Sequence, residues 1–531
     1  MGESHQNPIV WAIGGVDSLN LAGLGADTRA ATLNGNNGVH CATIVTCVTG
    51  QNSKAFRASQ VMNRQMLDAQ WQALNEQTQP SVIKVGMLCN IMQVKWLSAK
   101  LSDLVTTMPT LRVVYDPVLR ASSEGVPFDK AMIEAIKDFL LPWVDLLTPN
   151  LEEAALFNGQ AIVNAHDQLD SAQSLSERFA VNVLLKGGHG APHRRSTDCY
   201  IGLTPNEHVR FASEPSAGFA MKSPVIDTDN TRGTGCTLAS LIAGLVAQQY
   251  TFCDAIVLAK ATLSQALVNA KPCGNDKGGP LDLVMPTVFE HLPQLLSFTE
   301  FVNSNYSSAT TPFLNCPTDL GLYPVVSNCL WLERLLALGV KTIQLRAKDL
   351  PDELARPLVI EAIALGVKYN ARVFINDYWQ LAIEYKAYGV HLGQEDLTQA
   401  NLTQIKQAGL RLGLSTHGVF EALLVNDLAP SYIALGHIFA TQTKDMPSNP
   451  QGLDKLALQV SLFRNQRSLV AIGGISQARV APVLTTGIQS VALVTAITQA
   501  DDVDGVTKAL LSQVGAGCEH RSDGVFEVVD E

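Results

Sequence analysis

Short apolar runs alternate with amphipathic stretches of helical period along most of the 531-residue chain. Between residues 8 and 285, runs at 9–13, 41–47, 81–85, 112–115, 145–148 and 182–185 read as strands. The intervening segments repeat their apolar positions at helical spacing, so this half is expected to form a mostly parallel sheet with helices on its faces. Residues 291–316 break the rhythm. They are rich in Ser, Thr and Asn and read as a linker. From 317 to 518 the alternation returns, with eight runs at 322–326, 342–346, 373–376, 389–392, 412–415, 432–436, 469–473 and 490–494. Eight β/α units in about 200 residues match the lower size limit of a (β/α)8 TIM barrel, whereas an open doubly wound sheet needs fewer strands or a reversal point.

Composition narrows the class of function. Hydrophobic residues make up 47% of the chain and charged residues 16%, enough apolar side chain for two sizeable cores. A net charge of −11 argues against a nucleic-acid or acidic-membrane partner, both of which need a basic surface, while allowing a local basic pocket. The ten cysteines form no CxxC pair and no metal-ligand spacing, so reduced thiols in a cytoplasmic protein are expected. The first eight residues are polar, unlike a signal peptide, and no apolar run approaches the roughly 18 residues of a membrane span. A soluble enzyme acting on small molecules is expected, with homo-oligomerisation left open.

In the second half, polar residues collect at the predicted strand ends, where this barrel places its chemistry. Gln344, Arg346 and Lys348 alternate along one strand and share a face. An inward Arg beside a Lys requires an anion, and a di- or triphosphate suits both the planar fork and the point charge. Asn376-Asp377 ends the next strand and Asp396 follows the fourth. Each aspartate alone reads as a turn or cap residue, but together they could hold Mg²⁺ against phosphate oxygens. Gly473-Gly474 after the seventh strand would let backbone amides approach a phosphate. His391, His417 and His437 read as packed or hydrogen-bonding side chains, since no partner stands at zinc-ligand spacing.

In the first half, Gly233-Thr234-Gly235-Cys236 opens an apolar helix, so unpaired amides and the positive helix end would form an anion hole. Cys236 at that helix start is expected to have a lowered thiol pKa and to serve as a base. A plain helix cap with a buried cysteine is the alternative. Asn150 and Glu153 stand three apart at a strand-to-helix junction, suited either to orienting hydrated Mg²⁺ or to an ordinary helix start. Lys186, at a strand end beside Gly187-Gly188, could reach a nucleotide phosphate.

Two resemblances gather these features. QLRAKD, FINDYWQLAIEYKAYGVHLGQEDL, GLSTH, YIALGHIFATQTK and AIGGIS, in that order over about 317–515, resemble thiamine phosphate synthases. That resemblance implies condensation of a pyrimidinylmethyl diphosphate with 4-methyl-5-(2-phosphoethyl)thiazole, releasing pyrophosphate. It further implies that Gln344, Arg346, Lys348, Asn376 and Lys444 bind pyrophosphate and that Asp377 and Asp396 ligate Mg²⁺. Ser415 would contact the pyrimidine or leaving group, while Thr441, Thr443, Gly474, Val494 and Thr495 would hold the thiazole phosphate.

Within a first domain expected over 8–290, residues from about 8 to 285 resemble ribokinase-like hydroxymethylpyrimidine (phosphate) kinases through AGLGAD (22–27), GQN (50–52), KVGML (84–88), TPNLEEA (148–154), KGGH (186–189) and GTGCT (233–237). The resemblance implies ATP as substrate and Mg²⁺ as cofactor. Gly15, Asp27, Gln51 and Met87 would contact the pyrimidine, and Cys236 would be the base beside the Gly233–Gly235 anion hole. Asn150 and Glu153 would support Mg²⁺, and Lys186 the ATP phosphates. One loop departs from the family: Asp17-Ser18-Leu19-Asn20-Leu21-Ala22-Gly23 lacks the usual Pro and paired glycines, and Arg232 replaces a His. Leu19 and Leu21 cannot adopt the positive φ that glycine accepts, so a different loop path is expected. Two functions follow: a bifunctional kinase–synthase, or a synthase whose first domain is a non-catalytic pyrimidine-binding or dimerisation module.

Overall fold

Described residues of the computed structural model are 7–33, 38–52, 55–119, 130–188, 195–203, 218–273, 279–303, 311–348, 350–441 and 449–519. They fall into two units, Met1–Pro286 with Glu290–Ser307, and Thr287–Phe289 with Ser308–Glu531.

The first unit is built on a ten-stranded sheet. In chain order its strands are β1 (Ile9–Asp17), β2 (His40–Gln51), β3 (Phe56–Val61), β4 (Val82–Val85) and β5 (Arg112–Tyr115), then β6 (Leu146–Leu147), β7 (Asn182–Leu185), β8 (Arg195–Ile201), β9 (Phe219–Pro224) and β10 (Gln294–Leu296). Their spatial order is β10-β9-β8-β7-β6-β5-β4-β1-β2-β3. The six central strands are parallel, as the apolar runs predicted; β3, β8, β9 and β10 are antiparallel additions at the edges. Two of these, β3 and β8, escaped the sequence pattern for physical reasons. β3 is exposed along almost its whole length, and β8 carries the buried Asp198, paired with Lys260 at 2.6 Å, where an apolar residue would have signalled a strand. Core packing includes a relay of edge-on rings, Trp11–Trp71 at 5.1 Å and Trp71–Trp96 at 5.8 Å. Helix Thr234–Ala247 is buried over most of its length and packs against helix Gly23–Ala31 and β4.

The stretch read as a linker from 291 is corrected over its first half. Gln294–Leu296 adds a strand to β9, and helix Phe298–Asn303 buries Phe301 beside Ala220 and Leu296. Only a few apolar residues make this contact, so the Ser/Thr/Asn content masked it.

The second unit is a closed parallel barrel of β11 (Leu322–Val326), β12 (Thr342–Leu345), β13 (Arg372–Asn376), β14 (Gly389–Leu392), β15 (Arg411–Thr416), β16 (Tyr432–Leu435), β17 (Ser468–Ala471) and β18 (Val491–Leu493). β18 pairs with β11, Leu322 opposite Val491, so no sheet edge remains. Tyr323, Phe374 and Tyr432 fill the interior. Their bulk depends on glycine opposite: a Cβ on Gly413 would lie 2.1 Å from the Tyr432 ring, and one on Gly389 2.6 Å from Phe374.

Candidate active sites

A cleft of about 530 Å³ opens at the carboxyl ends of the central strands of the first unit, where open α/β sheets bind ligands. All ten first-domain residues singled out in the sequence line it: Gly15, Asp27, Gln51, Met87, Asn150, Glu153, Lys186, Gly233, Gly235 and Cys236. Gly15 faces Cys47 and Met87, and a Cβ there would lie 2.9 Å from the Cys47 sulfur. Gln51 donates to the Thr49 hydroxyl at 2.9 Å.

Loop 17–23 closes one side. Its positive φ angles fall on Asn20 (55°) and Gly23 (58°), which spares Leu19 and Leu21 that conformation. Asp17 organises the loop by accepting from the Leu19 and Ala22 amides at 3.3 and 3.2 Å. It also receives the Arg232 guanidinium at 3.0 Å, so the replaced histidine position ties this loop to the segment before the anion hole. Gly233 caps helix Thr234–Ala247 at φ 75°, and a Cβ there would meet the Leu21 carbonyl oxygen at 2.0 Å.

Two charged residues at the cleft, Lys84 and Asp116, have no role assigned from the sequence. Lys84 is fully buried in β4 and donates to Asp27 Oδ1 at 2.7 Å, the same oxygen that receives Ser240 Oγ at 2.8 Å. Asp116, just after β5, accepts from Lys186 Nζ at 2.8 Å and from Thr148 at 3.3 Å. A lone Lys within Val-Ile-Lys-Val and an Asp at a strand end were the available signals, because a charge in a buried strand needs a counter-ion. Burial opposes a charged Lys186, yet Asp116 and Glu153 hold its affinity for a proton above the ordinary value.

The lowered Cys236 pKa expected from the helix start is corrected. Desolvation pushes the thiol up to about 12, with Asp27 and Asp116 adding to it, and Lys84 and the Gly23 amide only partly offset this. Asn150 and Glu153 form a reciprocal capping box at 2.8 Å in each direction, so the ordinary helix-start role is present whatever else they do. Burial lifts the Glu153 carboxyl to about 7; Lys186 opposes the shift and Asp116 adds to it.

In the barrel, the predicted residues gather at the carboxyl ends of successive strands. Gln344 donates to Asn376 at 3.1 Å across β12 and β13. Arg346 and Lys348 follow β12. Asp377 follows β13 at φ 65°, its amide bonded to the His391 carbonyl at the end of β14, and Asp396 accepts from the Gly393 amide at 2.9 Å. Carboxylates, a guanidinium and an ammonium at these strand ends are the side-chain types that suit Mg²⁺ with phosphate. Among the described residues no group of three or more His, Cys, Asp or Glu side chains gathers as a metal site. Ser415 is hydrogen-bonded to His391 Nε2 at 2.9 Å, while His391 Nδ1 meets the Tyr432 hydroxyl at 2.7 Å and that hydroxyl meets Tyr323 at 2.9 Å. His391 is thus a hydrogen-bonding histidine, as read from the sequence. His417 pairs with Glu421 at 3.0 Å, whereas buried His437 Nδ1 has no hydrogen-bond partner among the described residues. Thr441, Gly474, Val494 and Thr495 follow β16, β17 and β18. Gly474 has φ 64°, and a Cβ there would lie 2.4 Å from the Ala440 carbonyl oxygen, so only glycine lets these two loops meet. Thr443 and Lys444 lie outside the described residues.

The family model of phosphomethylpyrimidine kinase matches residues 17–282, and that of thiamine monophosphate synthase matches 322–497. The thiamine-phosphate synthase of Pectobacterium atrosepticum is 58% identical over 205 residues, covering 39% of this chain and 96% of that protein. The thiamine-phosphate synthase of Klebsiella pneumoniae is 57% identical over 203 residues, 38% of this chain and 96% of that protein. Among solved structures, phosphomethylpyrimidine kinase from Clostridium difficile is similar at a TM-score of 0.38 and 22% identity, over 49% of this chain and 100% of that one.

Proposed function

The chain belongs to the phosphomethylpyrimidine kinase family in its first half and to the thiamine monophosphate synthase family in its second, and we propose that it performs two consecutive steps of thiamine synthesis. The first unit phosphorylates hydroxymethylpyrimidine (phosphate) with ATP to the diphosphate. The barrel condenses that diphosphate with 4-methyl-5-(2-phosphoethyl)thiazole, giving thiamine monophosphate and pyrophosphate. For the kinase half, the observation that carries this reading is the meeting of residues from Gly15 to Cys236 in one cleft. For the synthase half it is 58% identity over nearly the whole barrel.

In the cleft, Gly15, Asp27, Gln51 and Met87 would hold the pyrimidine. Lys186 would meet the ATP phosphates, and the Gly233–Gly235 amides would receive the negative oxygen that develops during transfer. Cys236 would take the hydroxyl proton of the acceptor. Asn150 and Glu153 would orient the hydration shell of Mg²⁺. In the barrel, Asp377 and Asp396 would hold Mg²⁺, which supplies charge neutralisation to the pyrophosphate when bound. Arg346 and Lys348 stabilise the leaving group most as its bond to the pyrimidine methylene breaks, and Gln344, Asn376 and Lys444 orient it. Ser415, fixed by His391, would contact the pyrimidine or leaving group. Thr441, Thr443, Gly474, Val494 and Thr495 would seat the thiazole phosphate. Among the described residues no helix is long and apolar enough to cross a membrane; a cytoplasmic location fits small-molecule substrates and unpaired cysteines.

The test incubates the whole chain with hydroxymethylpyrimidine, ATP, Mg²⁺ and thiazole phosphate and follows each pyrimidine species over time. The expected course is ATP-dependent formation of thiamine monophosphate, abolished in the Cys236→Ala variant unless pyrimidine diphosphate is supplied. The protonated Cys236 thiol and the substituted loop favour a second reading, a non-catalytic first unit. Pyrimidine binding without ATP consumption would establish that reading instead.

A further inference from the structure

The first cleft contains a buried cation that the reaction as described does not use. Lys84 lies in the middle of β4 with no exposed surface, and it lines the cleft where Gly86 leaves room: a Cβ on Gly86 would come within 3.1 Å of Nζ. Its anchor, Asp27 Oδ1, is shared with Ser240 Oγ. Ser240 stands four residues after Cys236 in helix Thr234–Ala247. Residues at that spacing share a helix face with Cβ atoms about 5–6 Å apart. One turn of helix therefore separates the lysine's anchor from the cysteine. We propose that Lys84 is the positioning residue for the base of the first reaction: its ammonium, pinned by Asp27 and Ser240, stabilises the thiolate of Cys236.

The inference rests on the kinase reading. In the step it serves, the thiol first releases its proton to solvent. The thiolate then takes the proton of the acceptor hydroxyl as that oxygen bonds to the γ-phosphorus of ATP and the bond to ADP breaks. The thiol afterwards returns its proton to solvent. Several charged groups share the cleft with the sulfur. Lys84 in β4, Asp27 in helix Gly23–Ala31 and Asp116 after β5 act on it through their charges; Lys186 lies 3.2 Å from a Cβ placed on Gly235, and Glu153 acts on Lys186. The next loop adds Arg232, paired with Asp17. Lys84 is the foremost of these in favouring the thiolate, while Asp27 and Asp116 disfavour it.

The sign of each charge gives the test. At about pH 8, well below the thiol's pKa, the alkylation rate is proportional to the thiolate fraction, so one unit of pKa is tenfold in rate. The whole protein, without nucleotide, is treated with iodoacetamide, and modification of Cys236 is followed by peptide mass spectrometry. Lys84→Met should slow it about tenfold or more, and Asp27→Asn should speed it by a similar factor. The double variant, which buries no unpaired charge, should react more slowly than Asp27→Asn alone, and this comparison decides the matter if Lys84→Met fails to fold. Equal rates in the double variant and Asp27→Asn would overturn the proposal. Thiol chemistry needs no turnover, so this failure is distinct from a failure of the protein to phosphorylate pyrimidine.

Discussion

His391 lies near the Arg346 guanidinium with both ring nitrogens hydrogen-bonded, one to Tyr432 and one to Ser415. Burial, reinforced by Arg346, lowers its pKa to about 4 from an ordinary 6.5. The neutral ring suits its place between two hydroxyls, since it can donate to one and accept from the other. A pH dependence follows. Between about 6.5 and 4 the unfolded chain binds a proton at this site that the folded barrel refuses, so barrel stability is lost as pH falls through that window. The loss should reach about 3 kcal/mol and be absent in His391→Gln. Hydrogen exchange of strands β14 and β16 between pH 7 and 4 measures it, and equal pH dependence in both proteins would refute the assignment. Cys236 carries the same lesson at residue scale. Its helix start was legible, but desolvation by tertiary neighbours outweighs the amides there.

At the scale of elements, apolar periodicity located each parallel strand of both sheets, usually to within a residue or two. It failed where an element hides its apolar side in few residues. Helix Phe298–Asn303 buries only Phe301. It nonetheless belongs to the first unit, where Phe301 packs with Ala220 and Leu296. Phe301→Ala should therefore destabilise that unit by roughly 3–5 kcal/mol. In a thermal scan of the whole chain, the transition reported by first-unit amides should drop while the barrel's does not. A linker would show no change. Element starts also serve twice: the capping box of Asn150 and Glu153 orders helix Leu151–Asn158 and places both side chains on the cleft.

At the scale of the whole molecule, a proposed site in each of two units makes separable activities the central expectation. Arg346→Ala should lower the condensation rate roughly 10²–10³-fold, the scale of losing one preorganised charge contact at a leaving group. ATP-dependent phosphorylation should be unchanged, measured in parallel by ADP release without thiazole phosphate. Equal loss of both activities would contradict two sites. The chain by itself determined the two α/β halves and the eight-strand barrel, because apolar periodicity is a local property that survives without coordinates. Tertiary structure alone decided the surroundings of Cys236. Lys84, Asp27, Ser240 and Cys236 come from three separate stretches of sequence, and only their packing joins Lys84 and Ser240 through Asp27 and buries the thiol one helical turn away. It likewise decided that loop 17–23 is held by Asp17 and Arg232, 215 residues apart, since an ion pair at that separation leaves no local signature.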